Sequence, residues 1–147
     1  MADTKSYGWA GKILRVNLTT GSITTEPTEP YKEYIGGMGL ANKIVYDEVA
    51  PGTDPLSEES KIVYAVGPLT ASGVPLAGRT TVSFLSTFTT DHQVVDAHCG
   101  GMLGAKIKMA GYDAIIIEGK SDKPVYLHIK NDQVEIKDGS MVWGLGT

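Results

Sequence analysis

Two hydrophobic periods run along this chain, and they divide it into elements. Residues 13–18 (Ile-Leu-Arg-Val-Asn-Leu) alternate as a half-buried strand does, residues 19–22 (Thr-Thr-Gly-Ser) carry turn chemistry, and residues 23–26 return as a second strand. Pro27 and Pro30 end this hairpin, and residues 31–35 form a helical turn. Leu40, Ala41, Ile44 and Val45 fall at helical spacing, so residues 38–49 predict an amphipathic helix, closed by the loop that Pro51 and Pro55 force. Short strands follow at 61–66, 80–86 and 93–97, the first two separated by a glycine- and proline-bearing loop, 67–78. Residues 101–110 predict a short helix with Gly111 as its C-cap. The uninterrupted run 114–117 (Ala-Ile-Ile-Ile) suits a strand buried on both faces. Residues 124–130 and 133–137 flank Asn131-Asp132 as a closing hairpin. Strands outnumber helices and hairpins dominate, so the class is α+β with mainly antiparallel sheet, rather than a βαβ series. The opening and closing hairpins give a weak hint of internal duplication.

Composition narrows the functions available. The 147 residues fit one domain, 1–147, or most of one. A net charge of −4 without a lysine/arginine run excludes a nucleic-acid surface. The polar residues 1–6 lack a signal-peptide core, and no apolar run is long enough to span a bilayer, so a soluble cytoplasmic protein is expected. Cys99 is the only cysteine; it cannot form an internal disulfide, and no iron–sulfur or zinc site can be assembled from this chain alone. The apolar stretch 142–147 stops within a continuing pattern, which suggests truncation at the C-terminal end.

The 18 glycines are the compositional outlier, clustered at 36–39, 67–78 and 100–104. Each cluster can bring backbone close to a ligand, or can simply mark turns and close packing. Arg79 follows one cluster and opens a strand, where a planar guanidinium could hold a phosphate; an ordinary surface ion pair is the other reading. His98-Cys99-Gly100-Gly101 lies between a predicted strand and a predicted helix, a place where backbone N–H groups attract anions, though neither GxGxxG nor GxxxxGKS/T is present. Cys99 reads as a small buried apolar residue, and His92 and His128 as structural or solvent-facing. Asp96, Asp113 and Glu118 show no acid/base spacing. No catalytic residue and no metal ligand is assigned.

Several motifs in order resemble the aldehyde ferredoxin oxidoreductase family: Gly8-Trp9-Ala10-Gly11-Lys12-Ile13-Leu14-Arg15-Val16-Asn17-Leu18, Gly36-Gly37-Met38-Gly39-Leu40-Ala41, Asp54-Pro55-Leu56-Ser57, Gly67-Pro68-Leu69-Thr70, Gly78-Arg79, Asp96-Ala97-His98-Cys99-Gly100-Gly101 and the run from Ala110 to Lys120. Many members carry arginine where this chain has Met38. The resemblance implies an N-terminal domain of two mainly antiparallel β-sheets with a few short helices, forming the base for a tungsten or molybdenum bis-pterin. In the full-length enzyme it also implies a [4Fe-4S] cluster, oxidation of aldehydes or related substrates, and electron transfer to ferredoxin or another electron-transfer protein. By the same resemblance Arg79 would contact pterin phosphate. His98 would replace an asparagine near the phosphate-bridging magnesium, and Gly100 would give backbone approach. The family's cluster cysteines and its later glycine/arginine loop are absent from this chain. The 147 residues alone are therefore expected to bind no cofactor, to be inactive, to need the remainder of the polypeptide, and to self-associate as a homo-oligomer. A divergent branch is implied, with the substrate and the metal left open. The alternative is a non-catalytic β-rich binding or assembly domain, from which a downstream CxxCxxxC would distinguish the enzyme.

Overall fold

In a computed structural model, residues 7–146 are described; residues 1–6, on which the absence of a signal peptide was read, and Thr147 lie outside the described residues. In chain order the elements are β1 Lys12–Asn17, β2 Ile23–Pro27, a 3-10 helix Glu29–Tyr34, α1 Gly37–Glu48, β3 Lys61–Val66, β4 Thr80–Leu85, β5 Val94–Cys99, α2 Leu103–Met109, β6 Ala114–Glu118, β7 Val125–Lys130 and β8 Gln133–Asp138. Six strands form one sheet in the order β2-β1-β6-β3-β4-β5, and β7-β8 form a second sheet of two strands. All pairings are antiparallel except β1 with β6. The class is α+β, as the sequence predicted.

The large sheet is covered on both faces. On one, α1 lays Leu40, Ala41, Ile44 and Val45 against Ile13, Val63, Ala65, Ala114 and Ile116. On the other, Leu14, Val16, Val66 and Ile115 meet Ile107 of α2 and the β7-β8 hairpin, through Leu127, Ile129, Val134 and Ile136. Alternation along β6 sends Ala114 and Ile116 to the first core and Ile115 to the second, which is why its sequence shows no polar gap. The two predicted hairpins end in different settings: β1-β2 closes an edge of the large sheet, while β7-β8 lies across its face.

Most boundaries fall within two residues of the sequence reading, and two differences bear on the site. The helical turn expected at 31–35 is a 3-10 helix beginning at Glu29, because Pro30 sits in its first turn, where a missing N–H costs nothing. The strand expected at 93–97 is β5 and runs on to Cys99, because pairing with β4 continues through Thr81↔His98 and Thr80↔Cys99. His98 and Cys99 are thus strand residues rather than a strand-to-helix connection, and α2 starts only at Leu103. His98 therefore lies five residues before α2, and Gly100, Gly101 and Met102 connect the strand to that seven-residue helix.

Candidate functional site

The loops at one end of the large sheet are held together by glycines that leave no room for a side chain. A Cβ on Gly8 would lie 2.5 Å from Pro68 O, and one on Gly36 would lie 2.6 Å from Val66 O. Both glycines also have positive φ, +74° and +70°. Other motif glycines are different. A Cβ on Gly37 would meet only Thr81 Oγ1, at 3.7 Å, and Gly100 and Gly101 have nothing within 4 Å. So the glycine motifs divide: some lock loop on loop, and others leave backbone bare.

Between these loops runs a shallow groove of about 420 Å³, walled by Gly37, Gly67, Leu69, Arg79, Thr81 and His98. It unites three stretches of the chain: the start of α1, residues 67–81 and β5. Arg79 directly precedes β4, which brings Thr81, β5 brings His98, α1 begins at Gly37, and the 67–78 loop supplies the apolar lip, with Leu69 and Leu76 exposed. Gly36 is the N-cap of α1 and offers no capping side chain, and no acidic residue sits in the first turn. The positive end of the α1 dipole therefore opens beside the groove.

Arg79 is exposed, and among the described residues it makes no ion pair or hydrogen bond, so its fork is available to an anion. The ordinary surface ion pair considered for it is not formed among the described residues. Thr81 Oγ1 lies 3.1 Å from His98 Nδ1, and His98 Nε2 lies 2.7 Å from Asp96 Oδ2. Gly100 follows directly on β5, with open space around its α-carbon. Arg79 and His98 are thus brought into one groove, and Gly100 lies two residues beyond it.

The other charged groups are structural. Arg15 grips Glu48 with both terminal nitrogens at 2.8 Å, and also reaches Glu26 and Glu118. Lys61 joins Glu48 and Glu118 to the same cluster. The hydrogen bonds that Arg15 donates to Glu48 outweigh desolvation and hold its guanidinium charged far above any working pH. Burial alone would raise the Glu48 carboxyl, but Arg15 brings it below its ordinary value; Lys61 does the same for Glu118. Asp113, fully buried, accepts from the backbone N–H of Ala10 (2.9 Å) and Gly11 (2.7 Å), from Thr28 Oγ1 (2.7 Å) and from the Lys108 ammonium. Sequence reasoning found no role for Asp113, because its donors lie up to 103 positions away. A larger depression, of about 700 Å³, between residues 57–59 and 120–125 shares no residue with the groove and mixes two lysines with three carboxylates. Cys99 is half-buried. His128 faces Glu135 on the hairpin. Among the described residues no set of three or more His, Cys, Asp or Glu side chains could hold a metal ion, and no helix is long and apolar enough to cross a membrane.

Known proteins resemble the chain over nearly its whole length. The family described as aldehyde ferredoxin oxidoreductase, N-terminal domain, matches residues 13–147. The tungsten-containing aldehyde ferredoxin oxidoreductase of Pyrococcus furiosus is 45% identical over 140 residues, which are 94% of this chain and 23% of that protein. An aliphatic sulfonate oxidoreductase, WOR-like subunit, of Pyrococcus furiosus is 39% identical over 145 residues, 95% of this chain and 23% of its own length. Among solved structures, the active site complex BamBC of benzoyl coenzyme A reductase, in complex with 1,5-dienoyl-CoA, superposes with a TM-score of 0.88 at 39% identity; the match covers 94% of this chain and 21% of that one. The chain spans under a quarter of the length of these relatives. It belongs to the aldehyde ferredoxin oxidoreductase family, and its match is to the N-terminal domain of that family.

Proposed function

We propose that this domain is the base on which a tungsten- or molybdenum-pterin cofactor rests in a longer oxidoreductase, and that the Arg79 groove takes the cofactor's phosphate end. The observation that carries the reading is Arg79 itself: an exposed guanidinium, without a partner among the described residues, just before the start of a strand and beside bare glycine backbone. The residues present fit such a group. Arg79 can donate two parallel hydrogen bonds to a phosphate, the uncapped N–H groups of α1 add positive potential, and Gly37, Gly100 and Gly101 leave space where a side chain would intrude. Leu69 and Leu76 at the lip would exclude water from the bound charge and so strengthen its interaction with Arg79.

When bound, the cofactor supplies the redox chemistry; this chain supplies binding and orientation. In the same reading the enzyme is cytoplasmic, oxidises aldehydes or related substrates, and relays electrons through a [4Fe-4S] cluster to ferredoxin or a similar protein. The cluster and the rest of the active site come from polypeptide outside these 147 residues, which alone are inactive; self-association as a homo-oligomer belongs to the same reading.

The test is pterin and metal content per folded protein, in enzyme of the relatives' length made anaerobically, for wild type, Arg79→Lys and Arg79→Ala. A charge-assisted bidentate bond contributes about 1.5–3 kcal/mol, so Arg79→Ala should weaken loading by roughly tenfold to a hundredfold. Arg79→Lys should fall between the two, keeping the charge and losing the fork. Equal loading in all three would refute the assignment.

A further inference from the structure

His98 shares the groove with Arg79, and its neighbours decide which of its atoms can act. Thr81 and His98 are register partners across β4 and β5, and Asp96 stands two residues earlier on the same face of β5, so the three side chains form a row. The imidazole bridges its two neighbours, Nδ1 to Thr81 Oγ1 at 3.1 Å and Nε2 to Asp96 Oδ2 at 2.7 Å. A carboxylate accepts and does not donate, so Nε2 carries the proton in that bond. Thr81 is only 4% exposed, so its hydroxyl has little access to water and His98 is its partner. Both ring nitrogens are thus occupied within the protein, and neither lone pair is offered to the groove. Arg79, in contrast, has no partner among the described residues.

We propose that Asp96 is a positioning residue which, with Thr81, fixes the His98 ring as a wall of the groove, so that His98 shapes the site and leaves the ligand's charge to Arg79. The inference rests on the reading of the groove as a phosphate site. It assigns each group a distinct task. Asp96 alone would repel a phosphate, and the N–H of His98 satisfies its nearer oxygen instead. His98 holds one orientation because each nitrogen has a different kind of partner, a carboxylate on one side and a hydroxyl on the other. A fixed ring then gives the anion a constant cavity in which the arginine fork, beside the uncapped N–H groups of α1, is the charged side-chain donor.

The experiment uses the 147-residue chain with 15N-labelled histidines, at about pH 8, above the ordinary histidine range. Long-range proton–nitrogen NMR spectra distinguish the two ring nitrogens of His98. Wild type and Asp96→Glu are expected to hold the proton on Nε2, and Asp96→Ala to show a mixture of tautomers with circular dichroism unchanged. Inorganic pyrophosphate is then titrated against each. Arg79→Ala should lose roughly tenfold or more in affinity and Asp96→Ala about threefold, with Asp96→Glu recovering most of the loss. A proton on Nδ1 in the wild type, or Asp96→Ala with tautomer and affinity both unchanged, would overturn the proposal. Equal pyrophosphate affinity of wild type and Arg79→Ala would sink the phosphate reading of the groove, while the tautomer still decides the role of Asp96.

Discussion

Asp113→Ala is the substitution for which the structure makes the sharpest demand. The carboxylate is fully buried, and four donors converge on it: two backbone N–H groups of the 10–11 segment, the Thr28 hydroxyl and the Lys108 ammonium. Lys108 also donates to Gly8 O and lies 5.6 Å from the ring centre of Trp9, so the pair fastens the stretch from Gly8 to Gly11 onto the α2-β6 connection. Alanine would remove both acceptor oxygens and strand the two backbone N–H groups and the Thr28 hydroxyl, leaving Lys108 with Gly8 O. Each buried donor left unsatisfied costs about 1–3 kcal/mol, and breaking a buried ion pair from one side costs about 3–5 kcal/mol. These terms overlap, and Lys108 keeps Gly8 O, so a total near 4 kcal/mol is expected. That is a large part of the roughly 5–15 kcal/mol that holds an ordinary domain, and it corresponds to a fall of about 8–16 °C in Tm for a chain of this size. Urea unfolding followed by circular dichroism measures it. Asp113→Asn should lose less, because one oxygen remains as an acceptor. Lys108→Met should also cost about 3–5 kcal/mol, since it leaves the fully buried carboxylate without its cation. A cost below about 1 kcal/mol for Asp113→Ala would refute the reasoning, because it would mean that water or rearrangement satisfies those groups.

Three further outcomes are expected. Arg15→Lys should destabilise nearly as much as Arg15→Met in urea melts, because one ammonium cannot replace a fork that holds Glu48 at two points and reaches Glu26 and Glu118 as well. Glu48 and Glu118 are depressed in the folded state, so their contribution is fully present above their ordinary value of 4.5 and is lost as pH falls below it; Tm measured against pH should drop there, and more gently in Glu48→Gln. Gly36→Ala should cost more than Gly101→Ala: both meet the left-handed penalty of about 1–2 kcal/mol, but only the first also drives a Cβ to 2.6 Å from Val66 O. Equal melting temperatures for that pair would show that the loops yield.

Much of the scaffold was legible because its strands carry their packing in their own sequence. The alternation of 13–18 and 125–130 and the unbroken run of β6 each record which faces are buried. β5 was legible only in part. Its residues are exposed or half-exposed, so burial leaves no alternation, and its end at Cys99 is set by hydrogen bonding to β4. The groove was less legible still. Arg79 and His98 stood out as residue types, and the family resemblance named both with Gly100, but only the register Thr81↔His98 brings them side by side. Asp96 showed nothing in the chain, because its significance is a distance to a ring nitrogen. Arg15 looked like a strand residue remote from any site; its partners at 26, 48 and 118 come from three elements that only the fold assembles.

That last cluster bears on the groove although it touches none of its residues. α1 runs from the groove, at Gly37, to the Arg15 cluster, at Glu48. A carboxylate at a helix C-terminus opposes the dipole, so Glu48 would weaken the helix end if it were not gripped by Arg15 and Lys61. With that grip, one end of α1 is fixed to β1, β3 and β6, and the apolar contacts of Leu40, Ala41, Ile44 and Val45 fix its length against the sheet. The free end then has little choice of position. Its first turn is seated by the close approach of Gly36 to Val66 and Gly67, and so the bare N–H groups beside Arg79 are held by a rigid element rather than by a loop. Positioning to within a fraction of an ångström is what an anion site needs from its scaffold. The ion pairs at one end of this helix and the glycines at the other are two parts of the same placement.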